Sequence, residues 1–180
     1  MQYKKISKNK IYCLINTNPL LLISTISKDN KYNIAPIAWV CPQEIMPPRL
    51  LFCIDTGHQT FKNIKKTRNF IACIPHISQT DIVKKTGSIS GKEVDKFAKF
   101  NIKTFIGKKI KCKIPEGVIG YLECKLKKII KIDTTAIVIA DIINAAADKD
   151  GFNGERLCPE KNQGNCIYHL GRNIFGTLKK

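Results

Sequence analysis

The chain has 180 residues, 43% of them hydrophobic and 25% charged. That length suits a single domain burying roughly 70% of the surface its unfolded form exposes, and that balance excludes disordered and collagen-like classes. The formal net charge is +17, from 31 Lys+Arg against 14 Asp+Glu.

Such an excess raises nucleic acid or an anionic membrane as partners. Only Arg49, Arg68, Arg156 and Arg172 are arginines, however, and the charge is spread along the chain without a block or tail. Phosphate and guanine readers favour the bidentate arginine fork. Solvated lysines are therefore expected, with no nucleic acid and no membrane partner. No apolar run approaches the ~18 residues of a membrane span; Leu20–Ile23 gives way to Ser24, Thr25 and Lys28. The opening segment is basic, but Asn16–Pro19 interrupt its apolar stretch and no small-residue cleavage pattern follows, so no leader is expected.

Cys13, Cys41, Cys53, Cys73, Cys112, Cys124, Cys158 and Cys166 include no C-x-x-C pair, and none of the three histidines stands at ligand spacing from a cysteine pair. The expectation is free, buried thiols in a reducing cytoplasm, with no metal site.

In chain order, Leu20–Ser27 reads as a strand, Lys28–Lys31 as a turn and Tyr32–Val40 as a returning strand. Pro36 cannot donate to a ladder, so that strand belongs at an edge or a bulge. Arg49–Ile54 is a third strand whose continuous apolarity predicts burial on both faces. Thr60 is the expected N-cap of a short helix over Phe61–Thr67, and Phe70–Ile74 is a fourth strand. Ser78 with Asp81, and Ser90 with Glu93, are spaced as capping boxes opening two further short helices. Val118–Ile130 and Thr135–Ala147 form a long hairpin around Lys131–Thr134. The core spans about residues 18–150, and 151–180 is a loop-rich tail. Hairpins without regular β–α alternation favour a mainly β fold with short helices, a closed or partly closed antiparallel barrel. Neither a G-x-G-x-x-G nor a P-loop pattern is present.

Four segments are candidates for chemistry. Asn33–Trp39 combines an internal Pro with two small alanines. It is either an edge strand with a packed Trp or a backbone edge that reads a flat heterocycle. Gly57-His58-Gln59-Thr60 starts a helix, where free N–H groups suit a phosphate, with His58 and Lys62 adding positive charge; the alternative is a capped surface helix. Lys85–Lys92, followed by Asp95-Lys96, is a Gly/Ser loop suited to an anion or to linking. Tyr168–Arg172 carries a lone His169. No Ser/His/Asp or Cys/His triad follows from the spacings.

Taken in order, ISTISKDNKYNIAPIAWV, PPRLLFCI, GHQTFKNIKKTRNFIACIP, KTGSISGKEVDKF, IGYLECKL and YHLGR resemble the flavin reductase-like FMN-binding split-barrel family, in its flavoredoxin-type branch. The resemblance covers about residues 18 to 176; NIAPIAW and SISGKEVDKF are its most specific pieces. It implies a single-domain split antiparallel β-barrel that forms a homodimer and binds FMN at the subunit interface. By position, Asn33, Ala35, Pro36, Ile37, Ala38 and Trp39 would lie along the flavin ring. His58, Thr60 and Lys62 would hold its phosphate. Ser88, Ser90, Gly91, Lys92 and Lys96 would complete the pocket, and His169 would close the substrate side as the catalytic position. The family commonly has Arg where this chain has His58, Ser where it has Ala38, and a small polar residue where it has Cys41. The implied activity is that of a flavin reductase with NADH or NADPH as co-substrate, passing electrons to flavin, ferric iron or a partner protein. An FMN electron carrier reduced by a partner protein is the alternative, and a cofactor-free nucleic-acid module the reading from another class.

Overall fold

The computed structural model describes residues 5–178; residues 1–4 and 179–180 of the expected 1–180 domain lie outside it. Twelve strands are present among the described residues. They are β1 (Asn18–Pro19), β2 (Leu21–Ile26), β3 (Tyr32–Ile37), β4 (Val40–Glu44), β5 (Arg49–Asp55), β6 (Asn69–Ile74), β7 (Thr104–Ile106), β8 (Lys113–Pro115), β9 (Gly120–Ile132), β10 (Thr135–Ala147), β11 (Tyr168–Gly171) and β12 (Ile174–Gly176). The α-helices are α1 (Gln59–Thr67), α2 (Thr80–Ser88) and α3 (Lys96–Lys99), and 3-10 turns span Lys8–Leu14, Ile77–Gln79 and Asn162–Gly164. No helix among the described residues is long and apolar enough to cross a membrane.

Seven strands form one antiparallel sheet in the order β3-β2-β6-β9-β10-β5-β4. Its two edge strands, β3 and β4, are consecutive in the chain and joined only by Ala38 and Trp39. The sheet therefore curls into a barrel that is split at this joint, where the Cys53 amide donates to the Trp39 carbonyl at 2.9 Å. The continuous strand expected over Tyr32–Val40 is thus two strands. Pro36 sits in the ladder's edge strand, where its missing N–H is tolerated. Two small sheets flank the barrel, β1-β11-β12 and β7-β8.

The local chemistry explains these elements. The turn between β2 and β3 places Asn30 at φ 59°, and the β9–β10 turn places Asp133 at φ 50°; Asn and Asp tolerate this left-handed region best among residues with side chains. Helix α1 turns its Phe61 and Ile64 into the barrel, next to Phe52 and Phe70, whose rings meet edge to face at 5.5 Å. Strands β2 and β6 are buried on both faces. Leu21, Ile23, Phe70 and Ala72 point into the barrel. Leu22, Ile71 and Cys73 face a second core with Val83 of α2, Phe97 of α3, Cys112, Ile114 and Ile167.

Three further sequence expectations are corrected. Strand β5 alternates between buried and half-buried positions, so it is not fully covered on both faces. The caps differ too. His58 is the N-cap of α1, and Thr60 lies buried in its first turn. A His76/Gln79 box opens the turn before α2, and Asp95 caps α3 through Phe97 and Ala98. Finally, Cys41 is exposed and Cys13 and Cys53 are half-buried, whereas Cys73, Cys112, Cys124, Cys158 and Cys166 are buried; burial pushes the Cys112 thiol up to about 12.

Glu123 of β9 is fully buried and accepts hydrogen bonds from the amides of Lys108 (3.1 Å), Lys109 (2.7 Å) and Ile110 (2.5 Å) and from Asn144 Nδ2 (2.6 Å). Burial alone pushes its carboxyl up, but the four donors outweigh it and hold the group below its ordinary value.

Candidate functional site

A cavity of about 370 Å³ opens beside the barrel's split, within the range of small-molecule sites, roughly 300–1,000 Å³. Four segments meet there: Asn33, Ala35 and Pro36 of β3; Gly57–Thr60 at the start of α1; Thr86–Gly91 at the end of α2 and beyond; and Lys96 of α3.

The start of α1 is an open helix N-terminus. His58 caps it by backbone geometry only, without a side-chain hydrogen bond, and no acidic residue occupies the first turn. Its first amides therefore keep their partial positive charge. Asn33 lies beneath, 2% exposed. Its Nδ2 donates to Thr60 Oγ1 at 2.9 Å, while its Oδ1 is buried without a partner. Gly91 closes over that oxygen; a Cβ there would lie 1.8 Å from Asn33 Oδ1, so no side chain fits.

Lys96 is 4% exposed. Its Nζ donates to the Thr86 carbonyl at 2.5 Å, and it forms no ion pair among the described residues. Asp95, its neighbour, is engaged in capping α3. Burial pulls the ammonium down to about 8, so at neutral pH the cavity holds a largely charged, uncompensated cation.

A second cavity of about 240 Å³ adjoins the first through Pro36, Gly87 and Ser88 and is lined further by Ala38, Lys84, His169, Arg172 and Phe175. A third, of about 260 Å³, lies along Pro36–Trp39 with Tyr12, Asn16, His58 and His169. Asn16, 2% exposed, ties these together. Trp39 Nε1 donates to Asn16 Oδ1 at 2.8 Å, which orients the amide. Asn16 Nδ2 then faces His169 Nδ1 at 2.9 Å, and His169 Nε2 lies 2.7 Å from the Arg172 carbonyl. A carbonyl only accepts, so Nε2 carries the hydrogen and Nδ1 accepts from Asn16. Both ring nitrogens are engaged, and His169 offers the cavity a ring face.

Of the residues expected from the sequence, Asn33, Ala35, Pro36, His58, Thr60, Ser88, Ser90, Gly91 and Lys96 line the first cavity. Ile37, Ala38 and Trp39 line the third, and His169 lies between the second and third. Trp39 is 49% exposed, with Tyr12 at its edge, and does not fill the barrel. Lys62 stands apart, at a surface depression with Lys65, Lys66 and Lys131. Lys92 is not among the lining residues; its amide donates to Ser90 Oγ. Sequence reasoning missed Gly57, Gln59, Thr86, Gly87 and Ile89 in the first cavity. All five stand within or beside segments it had singled out. Asn16 gave no local signal, because its partner His169 is 153 positions away.

The barrel's split thus lies beside a cavity that brings together a free helix start, a small-residue loop and a buried lysine at a sheet edge. A family model for the flavin reductase like domain matches residues 15–163. The chain belongs to that family. The uncharacterized Escherichia coli protein YddH is 28% identical over 170 residues, covering 93% of this chain and 90% of that protein. Among solved structures, flavoredoxin from Methanosarcina acetivorans superposes with a TM-score of 0.84 at 21% identity, over 100% of this chain and 93% of that one. An FMN-binding protein from Thermus thermophilus gives 0.82 at 19% identity, over 98% of this chain and 95% of that one. Nitrilotriacetate monooxygenase component B from Bacillus cereus gives 0.85 at 15%, over 100% and 97%. At these identities the superpositions establish the fold, a split barrel with short helices.

Proposed function

We propose that this protein binds FMN in the first cavity and acts as an NAD(P)H-dependent flavin reductase. Lys96 carries the reading. It is a buried cation with no carboxylate partner among the described residues, and it faces the same cavity as the open start of α1 and the unpartnered Asn33 Oδ1. A buried charge of this kind is stabilised only by an opposite charge or by strong acceptors. A phosphate at α1 and the electron-rich carbonyl edge of a flavin supply both, so the residues present fit the group.

When bound, FMN supplies the hydride and electron chemistry. The chain's own work is placement. The α1 amides and Thr60 hold the anionic end. The free edge of β3 at Ala35–Pro36 and the Ser88–Gly91 loop would bracket the ring, and Lys96 would offset negative charge on it. His58, where the family commonly has Arg, gives a weaker grip than a guanidinium fork. No side chain is required as an acid or base, in keeping with the engaged nitrogens of His169. The electron acceptors in this reading would be free flavin, ferric iron or a redox partner protein.

The active species in this reading is a homodimer. The outer face of β5 and β10 supports it, since Leu51, Cys53, Ile137 and Ile139 pair across the two strands and remain half-buried. Sedimentation should show a dimer at micromolar concentration, with Leu51→Lys/Ile139→Lys shifting it to monomer; a clean wild-type monomer would contradict the assembly. A second reading, an electron carrier reduced by a partner protein, draws support from the Lys62, Lys65, Lys66 and Lys131 cluster, which suits an acidic partner.

The deciding experiment is anaerobic addition of NADH or NADPH to the FMN-loaded protein. Bleaching of the flavin absorption without a partner protein supports the reductase. Bleaching only with a partner present selects the carrier, and a protein that takes up no FMN refutes both.

A further inference from the structure

Lys96 has a property that holding an anion does not use. It is the only buried lysine among the described residues, 4% exposed. Its Nζ meets the Thr86 carbonyl and no carboxylate among the described residues. The cavity it faces has no carboxylate, no thiol and no second lysine among its lining residues, and His58 is the one other titratable side chain there. Burial pulls the ammonium down to about 8, so at pH 7.5 about a quarter of the molecules hold a free amine, against about one in a thousand for a lysine at the ordinary value of about 10.4. A desolvated lysine amine attacks carbonyl carbon.

The same cavity supplies the other half of a recognition site. The start of α1 has no side-chain cap and no acidic residue in its first turn. A negative group held on its open amides brings the rest of a small molecule into the space that Lys96 faces. Asn33 Oδ1, buried without a partner beside Thr60, is a further polar atom there that the fold leaves unsatisfied. Gly57, Gly87 and Gly91, with Ser88 and Ser90, keep the lining free of bulk.

We propose that Lys96 is a covalent modification site in the FMN-free protein, where its amine condenses with small aldehydes that carry a phosphate, the phosphate being seated at the start of α1. The Nζ lone pair forms a C–N bond to the aldehyde carbon. The carbonyl oxygen takes the two amine hydrogens and leaves as water, and an imine remains. No electrons change hands and no co-reactant is consumed. The adduct removes the cation and fills the cavity, so phosphorylated aldehydes block uptake of the cofactor. That block rests on the reading of the cavity as an FMN site, whereas the condensation does not.

The test treats the FMN-free protein with limiting 4-formylphenyl phosphate and traps imines with cyanoborohydride, which delivers hydride to the C=N bond and leaves a secondary amine. Peptide mass mapping then gives the occupancy of each lysine. The readout is the occupancy of Lys96 relative to Lys62, Lys65 and Lys66, which are exposed. This ratio should be about 10 or more, from the larger fraction of free amine. With 4-methoxybenzaldehyde, uncharged and similar in shape, it should fall about 5-fold, the worth of an anion at a helix start. Adducts spread over the surface lysines with Lys96 unlabelled overturn the proposal, and equal ratios for the two probes overturn the part given to the phosphate.

A parallel arm adds FMN before the aldehyde. Protection of Lys96, with the surface lysines labelled as before, supports the mutual exclusion. Labelling of Lys96 that saturating FMN leaves unchanged marks failure of the cofactor reading, while the modification site stands on the first arm.

Discussion

Glu123 and Lys96 are both almost completely buried, yet they are treated in opposite ways. Glu123 accepts four hydrogen bonds, three from the amides of the Lys108–Ile110 loop, and its carboxyl is held below the ordinary value. Lys96 has one carbonyl, no counter-charge and an ammonium pulled down to about 8. The first is a finished structural joint. The second is a cation held by a single carbonyl, with no ion pair among the described residues. A buried charge thus signals a site when its partners are too few.

The sharpest way to break this comparison is to remove Glu123. Glu123→Ala leaves three backbone amides and Asn144 without their acceptor. It should lower unfolding free energy by about 3–5 kcal/mol, seen in urea denaturation together with faster amide exchange at Lys108–Ile110. A loss below about 1 kcal/mol would show that the loop is held by other contacts. The same carboxylate makes the fold acid-sensitive. Because its folded-state value is depressed, its contribution is complete above the unfolded value, about 4.3, and is lost as pH falls through the folded one. Glu123→Gln should therefore flatten the acid limb of the stability profile.

Lys96→Met should behave in the opposite sense. Without ligand, the variant should be as stable as wild type or more so, since a desolvated cation has been removed. Its FMN affinity should fall about 10- to 100-fold, the factor that a charge-assisted hydrogen bond of roughly 1.5–3 kcal/mol supplies. Severe destabilisation of the ligand-free variant would place Lys96 with Glu123 as a structural joint.

The pH dependence sharpens the contrast. The unfolded chain holds this proton up to the ordinary value of about 10.4, whereas the folded, ligand-free protein holds it only to about 8. Stability of the ligand-free protein should thus rise with pH across that window, while FMN affinity should fall once the cation is lost above about 8. Calorimetric titrations at pH 7 and 9.5 compare the two directly; an affinity that does not drop would remove Lys96 from the binding account. The smallest effect is expected at Asn33. Asn33→Ala should weaken FMN by about 5-fold, the value of one neutral hydrogen bond of roughly 1 kcal/mol; an unchanged affinity would remove Asn33 from the binding account.

Much of the barrel was legible in the sequence, because hairpins announce themselves locally. The β9–β10 turn at Asp133 and the β2–β3 turn at Asn30 are set by residues that tolerate positive φ, and Pro36 correctly marked an edge strand. The apolar run of β5 misled, because continuous hydrophobicity reports what a face can bury and not what covers it. The caps misled for a related reason: His58 caps through backbone geometry alone and His76 through a ring nitrogen, and composition rules favour neither. Within the site, the loop around Gly91 and the buried Lys96 stood inside recognisable segments. The Trp39–Asn16–His169 chain did not, since it joins three distant parts of the sequence. Lys62 was drawn to the site by its place after Thr60, but the 100° step of a helix turns it to another side.

The joint at Ala38 and Trp39 has a consequence of its own. Both margins of the sheet belong to one uninterrupted stretch of polypeptide, so the width of the opening is set by the covalent spacing of two residues. Point substitutions can retune what lines the aperture, whereas inserting or deleting a residue at the joint would change its span. Diversification within this architecture is accordingly expected to proceed by exchange of side chains at the hinge, with its length left constant.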